Sequence, residues 1–136
     1  MERKIKEINN IVKSQLWFEF EIIKNSSKLL KVRGGLDIFD IDSPYELIIE
    51  FYDVFYIESL MTWQTNTSKN FLRLIKGNEA YKINKEIQVE QGYLIFEFLA
   101  DDYDKGFIII AKNIGYKIPL GTSSISINKE MNSTEN

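Results

Sequence analysis

Neither histidine nor cysteine occurs anywhere in the 136 residues. Without cysteine there is no disulfide framework, no thiol nucleophile and no thiolate metal site. Without histidine the usual general base near neutral pH is missing, and so is the commonest zinc ligand. Ser-His-Asp and Cys-His catalysis are therefore excluded. Carboxylate, lysine, tyrosine and hydroxyl chemistry is all that remains. Phosphate-cradling glycine loops are absent too, because Gly34-Gly35 is a lone pair without P-loop or dinucleotide spacing. With these motifs missing no cofactor is expected, and no apolar run approaches the roughly eighteen residues of a membrane-spanning helix, so no membrane association is expected either. The opening Met-Glu-Arg-Lys-Ile-Lys-Glu is too charged for a signal peptide. A cytoplasmic location is the expectation, and the Asn-x-Ser/Thr triplets at Asn25, Asn66 and Asn132 then carry no glycan.

What is present is enough for one core. The chain has the length of a single domain, and its 44% hydrophobic and 13% aromatic content fills an interior without a metal or a disulfide. The abundance of Ile, Lys and Asn points to AT-rich coding of the low-GC bacterial kind. The net charge of −3 is unevenly spread. Residues 1–33 carry eight basic and four acidic side chains, whereas residues 34–60 carry seven acids and no base. A basic excess returns over 61–89. This alternation argues against a nucleic-acid-binding stripe, which needs Lys and Arg gathered on one face.

Hydrophobic periodicity places a helix over residues 2–14, with Ile5, Ile8, Val12 and Leu16 on one face. From Leu16 the period becomes two. Phe18, Phe20 and Ile22 face inward in one strand, and Leu30 and Val32 do so in the next, after an NSS turn at 25–27. Gly34-Gly35 is expected to break the pattern. The run YELIIEFYDVFYIE, residues 45–58, would span about 46 Å as one strand, so a bend or bulge near Tyr52-Asp53, or two strands, is expected. A polar loop over 61–70, a strand at FLRLI, a turn at Gly77-Asn78 and a short strand at 86–89 follow. Strands at YLIFEFLA and FIIIAKNI flank DDYDKG.

The DDYDKG segment is the first candidate site. An EF-hand loop needs Asp at positions one and three, Gly at six and Glu at twelve. Counted from Asp102, glycine falls at five and Asn113 at twelve; counted from Asp101, the third ligand is Tyr103. Neither register fits. The segment reads as a hairpin whose glycine takes positive φ after a type I turn, with its charges solvated.

The acidic block is the second candidate. Asp37, Asp40 and Asp42, in the loop-like LDIFDIDSPYE, are placed for contact with a basic partner. Glu46, Glu50 and Glu58 read as the polar face of a strand, keeping an edge from aggregating. Trp63, in MTWQTNT, admits two readings: an exposed binding anchor, or a ring folded back to cap the open end of a barrel or sandwich. The aromatic positions Trp17, Phe18, Phe20, Phe51, Tyr52, Phe55, Tyr56, Phe96 and Phe98 line a ligand cavity in one reading and fill a core in the other.

The expected fold is mainly β: an antiparallel sandwich or partly open barrel of about seven to nine strands with an N-terminal amphipathic helix. The alternative is α+β, one curved antiparallel sheet with a helix packed on it. Residues 1–118 form the single domain, and 119–136 form a polar tail, partly disordered, with SISI as a further edge strand. The order of a helix and then strands, with SPYELIIEFYDVFYIESLMTW in the middle and FEFLADDYDKGFIIIAKNIGY near the end, resembles small β-rich families of low-GC bacteria. Some of those act as immunity proteins beside polymorphic toxins. The resemblance runs over roughly residues 15–118, rests mostly on Phe51-Tyr52-Asp53-Val54 and Trp63, and transfers no catalytic residue. It implies a non-enzymatic protein that binds and blocks another protein.

Three functions follow in order. The first is a protein-binding module of immunity or antitoxin type that engages a basic partner through Asp37, Asp40 and Asp42, with Trp63 as an anchor. The second is a small-ligand or lipid-binding barrel. The third is an enzyme working with carboxylates, whose paired acids would stand about 5–10 Å apart. Exposed strand edges also leave a homodimer open.

Overall fold

Alternating apolar residues generate most of this fold, and two helices complete it among the described residues. The computed structural model describes residues 1–38, 46–101 and 103–119, with the backbone alone for 103–105. The expected tail and its SISI strand lie outside the described residues, apart from Pro119. The elements are α1 (Glu2–Lys13), β1 (Phe18–Asn25), β2 (Leu29–Gly35), β3 (Leu47–Glu58), β4 (Thr62–Thr65), β5 (Leu72–Ile75), α2 (Gly77–Ile87), β6 (Leu94–Ala100) and β7 (Tyr103–Lys117). The seven strands make one antiparallel sheet in the order β4-β1-β2-β3-β7-β6-β5, curled into a half-barrel. No helix among the described residues is long and apolar enough to cross a membrane.

The inner face is one apolar cluster. Phe18 and Phe20 of β1, Leu30 and Val32 of β2, Ile49 and Phe51 of β3, and Phe96 and Phe98 of β6 all point into it. The isoleucine stripe of α1 packs on the same cluster through Ile5, Ile8, Ile11 and Val12. Leu16 does not join it: α1 ends at Lys13, where the Ser14 N–H bonds back to the Asn10 and Ile11 carbonyls, and Leu16 is left fully exposed.

Curling brings the β4 edge of the sheet close to β6, five places away in the strand order. The Asp101 N–H donates to the Gln64 carbonyl at 2.8 Å, and Thr65 Oγ1 donates to the Leu99 carbonyl at 2.9 Å. Strand β4 lies where the sequence reads as a polar loop. Its alternation is real but written in small polar residues: Trp63 and Thr65 turn inward while Thr62 and Gln64 do not.

Three further expectations are corrected. Gly34-Gly35 does not break β2, which runs through both residues. A Cβ on Gly34 would sit 2.7 Å from Phe20 Cε1 and closer still to Phe18, so glycine is there to admit two rings. Residues 77–87 are helix α2, where the sequence reads as a turn and a strand. Ala80, Ile83 and Ile87 recur at spacings of three and four, and they pack on Ile75, Ile95 and Ile110 of the outer face. The Gly77-Asn78 pair marks the start of this helix, with Gly77 at φ +63°. Finally, the β6–β7 pairing already reaches Ala100 and Tyr103, so Gly106 lies within β7. Its φ is not in the left-handed region; a Cβ there would instead meet Glu97 Cδ at 2.6 Å.

The expected bend in the long run is present. Strand β3 keeps all twelve residues, with Asp53 at φ +54° and a register shift against β7 between Val54 and Tyr56.

Candidate functional site

The acidic block of the sequence maps onto β3 and the segment that feeds it. Along β3, Leu47, Ile49 and Phe51 turn inward, which sends Glu46, Ile48, Glu50 and Tyr52 to the outer face. Strand β3 sits between β2 and β7. The edge-guarding reading of its glutamates therefore does not hold, since β3 is central and Glu46 and Glu50 are buried.

Glu50 is 3% exposed, and the sheet register supplies its surroundings. It pairs across the ladder with Lys31 of β2 and Gly115 of β7. The Tyr52 hydroxyl donates to Glu50 Oε1 at 2.9 Å, with Lys31 Nζ 3.7 Å and Lys117 Nζ 3.6 Å from its two oxygens. A Cβ on Gly115 would touch the Tyr52 ring at 3.4 Å, so the bare backbone lets the ring lie across β7. Burial of the Tyr52 hydroxyl, with the hydrogen bond to Glu50 and the nearby negative charge, pushes its pKa up to about 12. Two ammonium groups and a phenol around one carboxylate compensate its buried charge.

Beside this cluster the chain leaves β2 into the acidic loop, and both stems of that loop are pinned. On the outgoing side an Arg33 terminal nitrogen donates to the Ile38 carbonyl at 2.7 Å, and the Ile38 N–H donates to Glu19 Oε1 at 3.3 Å. Arg33 Nε also lies 3.0 Å from Glu21 Oε1, an ion pair too far off line to count as a hydrogen bond. On the returning side the Glu46 N–H donates to the Gly34 carbonyl at 2.8 Å, extending the β2–β3 pairing by one step. Ile38 is buried, and it draws the stem onto the sheet. The two residues before it point the other way: Asp37 is exposed, and Leu36 is 44% exposed.

Of the four residues singled out in the sequence, Asp37 is on this stem. Asp40 and Asp42 lie outside the described residues. Trp63 is 5% exposed, and its ring packs 5.6 Å from Phe20, 5.5 Å from Phe98 and 5.2 Å from Phe107. It therefore closes the seam between β4 and β6, the capping alternative of its two readings, with its indole N–H lacking an acceptor among the described residues. The structure does not bring Trp63 to the acidic stem. Nor do the nine aromatic positions act as one set. Phe18, Phe20, Phe51, Phe96 and Phe98 are fully buried and fill the interior in ring-to-ring contact, whereas Trp17, Tyr52 and Phe55 are exposed.

Sequence reasoning missed Lys31, Arg33, Lys117, Glu19 and Glu21. The signal was available in part: Glu19 and Glu21 alternate with inward rings, and Lys31 and Arg33 alternate with Leu30 and Val32, so all four had to share the outer face. Only the register that sets Arg33 opposite Glu21, and Lys31 opposite Glu50, was missing. Among the described residues no group of three or more acidic side chains is placed to hold a metal ion. Comparison with protein-family models, with curated proteins and with solved structures finds no match.

Proposed function

We propose that the protein is a non-enzymatic binding module, of immunity or antitoxin type, that engages a basic protein partner through its acidic loop. The observation that carries this reading is the anchoring of that loop. Its outgoing stem is tied by Arg33 and Glu19 at Ile38, and its returning stem by Glu46 at Gly34, so Leu36 and Asp37 project from a fixed base. A stem held in place loses less conformational freedom on binding than a slack one. The cations nearest in sequence and register, Lys31 and Arg33, are engaged with Glu50 and with Glu21 and Ile38. The loop segment 34–45 itself brings Asp37, Asp40 and Asp42 and no base, so its charge favours a cationic surface. Leu36 supplies an apolar contact among the acids.

The experiment is capture from the native host's lysate at low salt, with the tagged protein and its Asp37→Lys/Asp40→Lys/Asp42→Lys variant side by side. The wild-type chain retains a basic protein in stoichiometric amount and releases it as salt rises, and the variant retains none. Equal capture by both chains, or capture indifferent to salt, rejects the assignment.

A further inference from the structure

Strand β5 is one edge of the sheet, and the backbone groups it turns outward need partners. Asn9 of α1 supplies them at one position. Its Oδ1 accepts from the N–H groups of Phe71 at 3.0 Å and Leu72 at 3.1 Å, and its Nδ2 donates to the Leu72 carbonyl at 2.7 Å. One side chain thus stands in for a short length of neighbouring strand. Successive residues of a strand aim their N–H and C=O at opposite edges, so Leu74, two residues on, turns its own pair to the same side as Leu72. On that side neither group of Leu74 meets a partner among the described residues.

At this place α1 stands away from β5. The gap is a groove of about 460 Å³, walled by Glu2, Ile5, Lys6 and Lys13 of α1 and by Leu72 and Leu74 of β5. That volume lies within the range of small-ligand sites. Its charge is one-sided once internal pairs are removed. Glu2 is paired with Lys76, and Arg73 on the strand wall is held by both Glu79 and Glu97. Lys6 and Lys13 are exposed, lie two turns apart on one helix face, and have no ion-pair partner among the described residues.

We propose that this groove binds an acidic peptide segment in extended conformation, which adds to the β5 edge. One peptide residue exchanges both backbone hydrogen bonds with Leu74, as a strand does when it joins a sheet edge. Its two neighbours in the peptide then share one face, about 7 Å apart, and carboxylates at those positions meet Lys6 and Lys13. A free anion fits less well, because it offers no N–H to the Leu74 carbonyl. The site lies on a different edge of the molecule from the acidic loop and does not depend on it.

The test uses the full chain and a fluorescein-labelled peptide, acetyl-Thr-Glu-Val-Glu-Thr-amide, followed by fluorescence anisotropy. The peptide binds, and the Lys6→Glu/Lys13→Glu variant loses about tenfold or more in affinity. N-methylation of the peptide's central valine, which removes the N–H facing Leu74 without touching the protein, causes a loss of similar size. A peptide with lysine in place of both glutamates does not bind, and reversing Asp37, Asp40 and Asp42 leaves the affinity unchanged. The proposal is overturned if no binding appears up to about 1 mM peptide. It is equally overturned if the N-methylated peptide, or the lysine-reversed protein, binds as well as the original pair.

Discussion

Asn9→Ala is the substitution that most directly probes how the sheet edge is finished. The asparagine is 4% exposed and sits mid-helix, a place where its own helix propensity is poor. Alanine is the better helix former, so a purely local view has the variant slightly stabilised. The structure demands the opposite. Removing the amide strands the N–H groups of Phe71 and Leu72 and the Leu72 carbonyl together. A buried group left without its hydrogen bond costs about 1–3 kcal/mol. The adjoining groove gives water some access to Leu72, so the three together come to about 3 kcal/mol at the lower end of that range. For a domain of this length, that lowers the midpoint of thermal unfolding by about 10 °C. Urea unfolding of both proteins measures the difference, and amide exchange locates it: Phe71 and Leu72 should exchange faster, ahead of global unfolding. Asn10→Ala, at the exposed neighbour, is the control and should stay within about 0.5 kcal/mol. A loss below about 1 kcal/mol for Asn9→Ala, or unchanged protection at Leu72, would refute the edge-capping argument.

Gly34→Ala forces a methyl group between the Phe18 and Phe20 rings and should cost about 1–3 kcal/mol, read as a lower urea midpoint; an unchanged midpoint would mean that the rings give way freely. Glu50→Ala removes the carboxylate that Tyr52, Lys31 and Lys117 converge on. With both lysines partly in solvent, the expected loss is only about 1–2 kcal/mol, well short of a fully buried pair, and a larger loss in urea unfolding would show that the pairing is tighter than its distances imply. Burial and the Glu50 hydrogen bond favour the protonated form of Tyr52 in the fold, with its pKa at about 12 against 10. Its contribution to stability is therefore complete below pH 10 and lost as pH rises through about 12. Tyrosinate absorbance should show a late-titrating component that Tyr52→Phe removes, and titration of Tyr52 near pH 10 would contradict the account.

Much of the architecture was legible because inward residues of one strand repeat every second position. Phe18, Phe20 and Ile22, and then Leu30 and Val32, were readable as core before any register was known, as was the helix bearing Ile5, Ile8 and Val12. The failures share a cause: a local residue type was given more weight than a long-range contact. Gly34 looks like a breaker until Phe18 and Phe20 are placed beside it, and Gly106 looks like a turn residue until the Glu97 side chain is laid against it. Helix α2 hid behind Gly77-Asn78, although Ala80, Ile83 and Ile87 already carried a helical spacing. Strand β4 hid because its inward positions are a tryptophan and a threonine among polar neighbours. The candidate site was half visible. The charge block that contains Asp37 is written in the sequence, whereas the ties from Arg33, Glu19 and Glu46 that fix its stems depend on pairing between strands.

Hydrogen exchange on the captured complex, compared with the free protein, tests the central claim about the acidic loop most directly. Bound partner should slow exchange at Leu36, Asp37 and the residues up to Glu46, and leave β5 and α2 as they are in the free chain. Protection that falls elsewhere, with residues 36–46 unchanged, would contradict the assignment of this loop as the binding surface.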